Sequence, residues 1–236
     1  VDGGFMALGE SLKEELAVSL YDIGVIKFSD FEWTLKSGRK SPVYYNQRGI
    51  GSWSGSSNRE RSLQARDLLI EGISEAIDDM VDEEGGYDHL YGLPQSATQL
   101  TGMIAERRND SVLWGRVGKK DYGAHAQLEG NYGEGQSVVA IDDVITNADS
   151  KLEAAESMDA AGLDVNGFVV VMDRQEGGQE TLKAAGYTLV SVLNMAETVR
   201  MLRENDRIGN VEFEWMAQYG RTLIQDGIVE RYPVTA

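Results

Sequence analysis

Two adjacent carboxylates, Asp142 and Asp143, close the apolar run Ser137-Val138-Val139-Ala140-Ile141, and the polar turn Val144-Ile145-Thr146-Asn147-Ala148-Asp149-Ser150 follows them. Paired carboxylates at such a place supply acceptors for vicinal sugar hydroxyls and oxygen ligands for a hard cation such as Mg²⁺. The β-branched run, with Gly133 and Gly135 ahead of it, reads as a buried strand, and Ser150-Lys151-Leu152-Glu153 reads as a capping box with Ser150 at the N-cap. Strand, turn and helix in that order put free backbone N–H groups and the positive end of a helix dipole at the carboxyl edge of a sheet, where α/β proteins bind phosphorylated ligands. Together the two features predict a site for a ribose phosphate. An ordinary strand end whose Asp caps the next helix would use the same residues, and the segment alone leaves that alternative open.

The elements that must position this turn follow from hydrophobic period. Leu12, Leu16, Leu20 and Ile23 recur at helical spacing behind a second capping box, Ser11-Leu12-Lys13-Glu14, and Gly24 ends the helix. From Phe31 to Asn46 the pattern changes to alternation around Lys36-Ser37-Gly38-Arg39, which predicts a hairpin. Residues 59–80 return to helical spacing through Leu63, Leu69, Ile73 and Ile77. His89-Leu90-Tyr91 reads as a short strand, Gly92-Leu93-Pro94-Gln95-Ser96 as a turn into a helix carrying Leu100 and Ile104, and Val112-Leu113-Trp114 as the next strand. The Gly-rich, charged stretch 115–135 is long for a connection and predicts a mobile functional loop. A strand at Phe168 to Met172, a helix near 179–185, a strand from Tyr187 to Leu193 and helical C-terminal segments complete the chain. This alternation predicts an α/β fold with a mainly parallel sheet flanked by helices. Residues 1–50 form a small N-terminal hood of helix and hairpin, and 51–236 form the core.

Composition narrows the function. The 236 residues carry 22 basic and 39 acidic side chains, a net charge of −17, with an acidic cluster at Glu75, Asp78, Asp79, Asp82, Glu83 and Glu84. Such a surface repels nucleic-acid phosphates, so no nucleic-acid partner is expected. The absence of cysteine excludes disulfides, thiolate metal sites and a cysteine nucleophile. No apolar run approaches the roughly 20 residues of a membrane span and the start has no signal-peptide pattern, so no membrane partner and a cytoplasmic location are expected. His89 and His125 have no metal-ligand spacing and read as structural or surface residues.

Four ordered segments resemble those of one family. Phe31-Glu32-Trp33-Thr34-Leu35-Lys36-Ser37-Gly38-Arg39-Lys40-Ser41-Pro42 resembles the hairpin of orotate phosphoribosyltransferases, and Arg116-Val117-Gly118-Lys119-Lys120-Asp121-Tyr122-Gly123 resembles their mobile catalytic loop. Ile141 to Ser150 is similar to the phosphoribosyl pyrophosphate (PRPP) motif of type I phosphoribosyltransferases, and Asp173-Arg174-Gln175-Glu176-Gly177-Gly178 resembles the strand-end arginine motif of the orotate enzymes. The resemblance covers roughly Leu8 to Met195 and points to the orotate domain of bifunctional UMP synthases.

That resemblance implies the type I phosphoribosyltransferase fold and a Mg²⁺-dependent transfer of phosphoribosyl from PRPP to N1 of orotate. A transition state with oxocarbenium character needs its leaving pyrophosphate neutralised more than it needs a covalent nucleophile. Lys120 and Arg116 match the loop cations for that task, with Val117 and Tyr122 beside them, and closure of this loop over the neighbouring subunit's site implies a homodimer. Asp142 and Asp143 match the acidic pair for the ribose hydroxyls, Thr146, Asn147, Ala148, Asp149 and Ser150 match the turn for the 5′-phosphate, and Val144 and Ile145 between them are counted as substrate-binding. Arg174 matches the orotate-binding arginine; read without the family it would be a surface ion pair with Asp173 or Glu176. Tyr44 and Tyr45 match the aromatic pair beside the base, Lys27 a lysine reaching toward the ligand, and Gln95 and Ser96 the pyrophosphate loop. No metal set held by the protein alone is expected, because PRPP itself carries most of the Mg²⁺.

The departures lie on the phosphate side. Val117 stands where the loop usually has lysine, and Ser96 where some members have one. The phosphate turn usually carries glycine followed by a small or hydroxylated residue; here it is Ala148-Asp149. Alanine resists a left-handed conformation. A carboxylate about 4 Å from a phosphate charge repels it by roughly 4 kcal/mol at an effective dielectric near 20. A phosphoribosyltransferase for another base is opposed by the hairpin and Arg174. A catalytically weak homologue with a nucleotide-binding or regulatory role stays open.

Overall fold

The computed structural model describes residues 9–35, 38–50, 59–115 and 128–234. Lys36, Ser37, Arg116, Val117, Lys119, Lys120, Tyr122 and His125 therefore lie outside the described residues. The elements in chain order are α1 (Glu10–Asp22), β1 (Ile26–Thr34), β2 (Lys40–Tyr45), α2 (Arg59–Glu84), β3 (His89–Gly92), α3 (Thr98–Arg108), β4 (Val112–Gly115) and β5 (Leu128–Glu129). They continue with β6 (Ser137–Ile145), α4 (Asp149–Asp159), β7 (Asp164–Asp173), α5 (Gly178–Ala184), β8 (Thr188–Asn194), α6 (Met195–Glu204) and α7 (Asn210–Gln225).

Central strands buried on both faces must be apolar at every position, and β6 and β7 are close to that limit. Successive residues point to opposite faces. Val139, Ile141, Val169, Val171 and Val192 join one core with Leu16 and Leu20 of α1, Ile73 and Ile77 of α2, Ile104 of α3, Leu202 of α6 and Leu223 of α7. Val138, Ala140, Phe168 and Val170 join the other with Ala155 and Met158 of α4 and Leu182 of α5. The sheet order is β5-β4-β3-β6-β7-β8, parallel except for β5, which runs antiparallel to β4. β1 and β2 form a separate antiparallel hairpin. This is the mainly parallel α/β architecture expected from the sequence. No helix among the described residues is long and apolar enough to cross a membrane.

Helix ends show where local reading succeeded and failed. After α1 the amide of Gly24 donates to Tyr21 O and that of Val25 to Leu20 O, a Schellman closure that needs the φ of +77° at Gly24. Gly9, not Ser11, is the N-cap of α1, because its carbonyl already takes Leu12 N and Lys13 N. Ser150 is likewise not the N-cap of α4. Ala148 takes that place at φ +63°, and its carbonyl receives the amides of Lys151 and Leu152, which starts the helix before Ser150.

The turn between β6 and α4 is backed by the start of α5. A Cβ added at Gly178 would lie 2.5 Å from the Thr146 carbonyl oxygen and 2.6 Å from Ile145 Cγ1, so only glycine allows this approach. Gly178→Ala should therefore cost about 1–3 kcal/mol, read as a lower urea midpoint at unchanged slope. A midpoint equal to that of the unaltered protein would show that the turn moves aside freely.

Candidate active site

The chain leaves β3 toward β4 on one side and returns to β6 on the other, which puts a topological switch point between β3 and β6. Crevices at the carboxyl ends of strands flanking such a point are where open α/β sheets bind ligands. A cleft of about 670 Å³ lies there, walled by the hairpin, the loop after β3 and the turn after β6. It collects Tyr44, Tyr45, Ser96, Asp142, Asp143, Val144, Thr146, Asn147, Ala148, Asp149, Ser150 and Arg174 from distant parts of the chain. Ile145 is buried beneath the turn, and Gln95 lines a smaller adjoining pocket with Gln47 and Arg48. Lys27 is outside the cleft lining; it pairs across the hairpin with Tyr44, and its Cε lies 3.3 Å from where a Gly24 Cβ would be.

The acidic pair does not end the strand. Asp142 stays in register with Val170 of β7, and Val144 with Met172, so both carboxylates project from a strand that runs on to Ile145. Consecutive strand residues point to opposite faces, and their environments differ. Asp142 is buried; its Oδ1 accepts from Asp143 N at 2.8 Å and Ser96 Oγ at 3.3 Å, and its Oδ2 accepts from Lys151 Nζ. Asp143 is half-buried, and burial first, then the Asp142 charge, pushes its pKa up to about 7. Tyr45 and Tyr91 are also raised, chiefly by burial and then by Asp143 and Asp142 respectively, so both stay neutral phenols beside the carboxylates.

Beyond the pair, the turn presents the first N–H groups of α4, which have no intrahelical partner by position and suit an anion. Ala148 adopts the left-handed conformation that glycine would take without strain. Asp149 is exposed in the first turn, and its Oδ2 accepts from Asn147 Nδ2 at 2.6 Å. The carboxylate thus stays on the cleft rim.

Arg174 leaves the end of β7 and is 3% exposed. Its Nε donates to Glu176 Oε1 at 2.7 Å, its Nη2 to Ser41 Oγ at 2.9 Å and its Nη1 to the Val43 carbonyl at 3.3 Å. The ion pair with Glu176 is buried, not a surface contact. Burial opposes the Arg174 charge, Glu176 more than offsets it, and the arginine remains protonated. These contacts use three of the five guanidinium N–H groups while the residue still lines the cleft. Glu176 also receives Arg39 Nη1 at 3.0 Å and Tyr219 Oη at 2.9 Å. At the mouth, Tyr44 is 37% exposed and stacks on Trp33 with centroids 5.7 Å apart.

Lys151 and Ser41 contact the candidate residues and were not singled out by sequence reasoning, whereas Glu176 was named as a partner of Arg174 but placed on the surface. A lysine in the first turn of a helix, against the dipole, was the available signal for Lys151. Nothing local marked Ser41, whose contact with Arg174 spans 133 residues.

The raised carboxyl of Asp143 has a definite sign. Folding increases its proton affinity above the ordinary value of 3.8, so its contribution to stability is present below that pH and lost as pH rises through about 7. Asp143→Asn should raise the Tm relative to the unaltered protein at about pH 8, with the gain shrinking toward about pH 4. A gain independent of pH would place Asp143 in a water-like setting.

No protein-family model matches the chain. It is 32% identical over 203 residues to uridine 5′-monophosphate synthase of Bos taurus, a match covering 86% of this chain and 39% of that protein. It is 30% identical over 218 residues to the orotate phosphoribosyltransferase of Chlamydia caviae, covering 92% and 96%, and 33% identical over 192 residues to that of Methanopyrus kandleri, covering 81% and 94%. The chain thus spans about two-fifths of the UMP synthase and nearly all of the other two. Among solved structures it is similar to UMP synthase of Leishmania donovani, with a TM-score of 0.69 and 26% identity over 93% of this chain and 42% of that one. The orotate phosphoribosyltransferase of Aeropyrum pernix shares the fold with a TM-score of 0.63 at 24% identity, over 81% of this chain and 99% of that one. The architecture is the type I phosphoribosyltransferase fold, and relatives matched over 96 and 94% of their own length at 30 and 33% identity place this chain in the orotate phosphoribosyltransferase family.

Proposed function

We propose that this chain transfers the phosphoribosyl group of PRPP to N1 of orotate, giving orotidine 5′-monophosphate and pyrophosphate in pyrimidine biosynthesis. The observation that carries the reading is the cleft itself, which brings a helix-start anion site, a half-buried carboxylate and a buried arginine to one switch point. The C1′–pyrophosphate bond breaks as the orotate N1–C1′ bond forms, the proton of orotate N1 passes to solvent or to a pyrophosphate oxygen, and charge builds on the leaving pyrophosphate. The chain's task is to orient both substrates and to exclude water. The turn from Thr146 to Ser150 holds the 5′-phosphate through backbone N–H groups, and Asp143 accepts a ribose hydroxyl. The remaining N–H groups of Arg174 meet the orotate carboxylate, a planar acceptor suited to a guanidinium fork. Tyr44 flanks the base.

Mg²⁺ would neutralise the leaving pyrophosphate when bound. Such an ion would be carried chiefly by PRPP oxygens, with the Asp143 carboxylate, which lines the cleft, as a hard oxygen donor beside it. Arg116 and Lys120 are proposed as the loop cations acting on the same pyrophosphate, from the neighbouring protomer of a homodimer. Loss of orotate absorbance in the presence of PRPP and Mg²⁺ tests the reading, and preferential use of uracil or a purine would overturn it. Arg174→Lys should raise the orotate KM by roughly tenfold or more, since one ammonium cannot reproduce the fork. An unchanged KM in folded protein would leave Arg174 purely structural.

A homologue that binds nucleotide with little turnover is the second reading, favoured by the strained Ala148 and the rim carboxylate of Asp149. The two residues should weaken 5′-phosphate binding without abolishing it. Ala148→Gly combined with Asp149→Thr should tighten PRPP by roughly tenfold at low ionic strength and much less in high salt. No gain at low salt would mean that the Asn147 contact keeps Asp149 clear of the ligand.

A further inference from the structure

Lys151 lies in the first turn of α4, where a positive charge opposes the helix dipole, and its residue is 3% exposed. A lysine buried that far keeps its charge only with partners. Its Nζ has two, Asp142 Oδ2 and the Val144 carbonyl, so the side chain reaches back under the turn to the strand it came from. Asp142 Oδ1 is taken as well, by the Asp143 amide and the Ser96 hydroxyl. Both oxygens of Asp142 are therefore engaged within the fold, and the residue is 7% exposed. Asp143, half-buried on the same cleft, makes no such ion pair among the described residues, although the Lys151 charge and the Ser96 hydroxyl both act on it.

Resting on the phosphoribosyl-transfer reading above, we propose that Lys151 is a positioning residue that clamps Asp142 and the Val144 carbonyl beneath the phosphate turn, leaving Asp143 as the carboxylate that takes a ribose hydroxyl. The clamp joins residues on either side of the turn from Thr146 to Ser150, so it sets the direction of the N–H groups that meet a phosphate before the ligand arrives. It also cancels one of the two carboxylate charges beside the position of a phosphate dianion. In a turn that already carries Asp149, that cancellation makes an anionic ligand acceptable.

Binding of PRPP with Mg²⁺ by calorimetry, on Lys151→Met, Asp142→Asn, their double variant and Asp143→Asn, tests the assignment, with folding followed by circular dichroism. Lys151→Met should weaken PRPP at least tenfold and leave the orotate KM within about twofold, because it leaves Asp142 unpaired beside the phosphate and away from the base. The double variant should recover a large part of that loss, since a neutral amide in place of the Asp142 carboxylate does not repel the dianion. Asp143→Asn should weaken PRPP more than Asp142→Asn does. A folded Lys151→Met that binds PRPP like the unaltered protein, a double variant no better than Lys151→Met, or a larger loss at Asp142 would each overturn the clamp. If Lys151→Met does not fold, Lys151→Gln, which can still donate to the Val144 carbonyl, is read in its place by the same criteria. An unaltered protein that binds no PRPP would instead remove the phosphoribosyl reading, and the clamp's ligand role with it.

Discussion

Glu176 is buried between two guanidinium groups, and the geometry of the cleft depends on that contact. Arg174 reaches it from the end of β7 and Arg39 from the hairpin, while Tyr219 of α7 donates its hydroxyl to the same carboxylate. Three segments distant in the chain, the β1–β2 hairpin, the end of β7 and the C-terminal helix, thus converge on one charge. Removing a single partner of a buried pair typically costs about 3–5 kcal/mol, because the charge left behind stays desolvated. Here it would also release Ser41 and the Val43 carbonyl from Arg174, and with them the wall of the cleft that carries Tyr44 and Tyr45.

The second constraint is electrostatic. A chain with net charge −17 has few cations to spare, and its cleft neutralises much of its own acidity internally. Glu176 is committed to arginines, Asp142 to Lys151, and Asp149 to the Asn147 amide. Asp173 follows the same rule by another route: burial pushes its pKa up to about 6, and its Oδ1 accepts from Gln175 N across a tight turn. What remains lining the cleft is a limited set of donors, Asp143 with its raised pKa and Glu153 of α4, an arrangement with no surplus of cations among the described residues.

The parts of this fold legible in the sequence are those governed by one variable. Runs such as Val138 to Ile141 and Phe168 to Met172 are apolar on both faces, so strand and parallel sheet follow directly. Asp142 and Asp143 read as the end of the strand because carboxylates usually close such runs, whereas pairing with β7 carries β6 through them to Ile145. Among the described residues β5 has two residues and pairs with Trp114 and Gly115, too little pattern to read locally. Both capping boxes misplaced a helix start, since the backbone at Gly9 and Ala148 supplies the first acceptor earlier than the hydroxyls at Ser11 and Ser150. Family motifs brought Asp142, Asp143, the turn and Arg174 to one cleft. Lys151 carried only its misfit with the helix dipole as a signal, while Ser41 on Arg174 and Tyr219 on Glu176 were not legible, because each pairing depends on how a distant hairpin or helix returns to the strand ends.

A crystal structure of this protein with orotidine 5′-monophosphate tests the central claim most directly, because the nucleotide carries base, ribose and phosphate together. The account predicts the base carboxylate on Arg174 under the hairpin, a ribose hydroxyl on Asp143 with Asp142 still held by Lys151, and the 5′-phosphate on the N–H groups at the start of α4. A nucleotide whose carboxylate points away from Arg174, or whose phosphate leaves the turn from Thr146 to Ser150 empty, would contradict it.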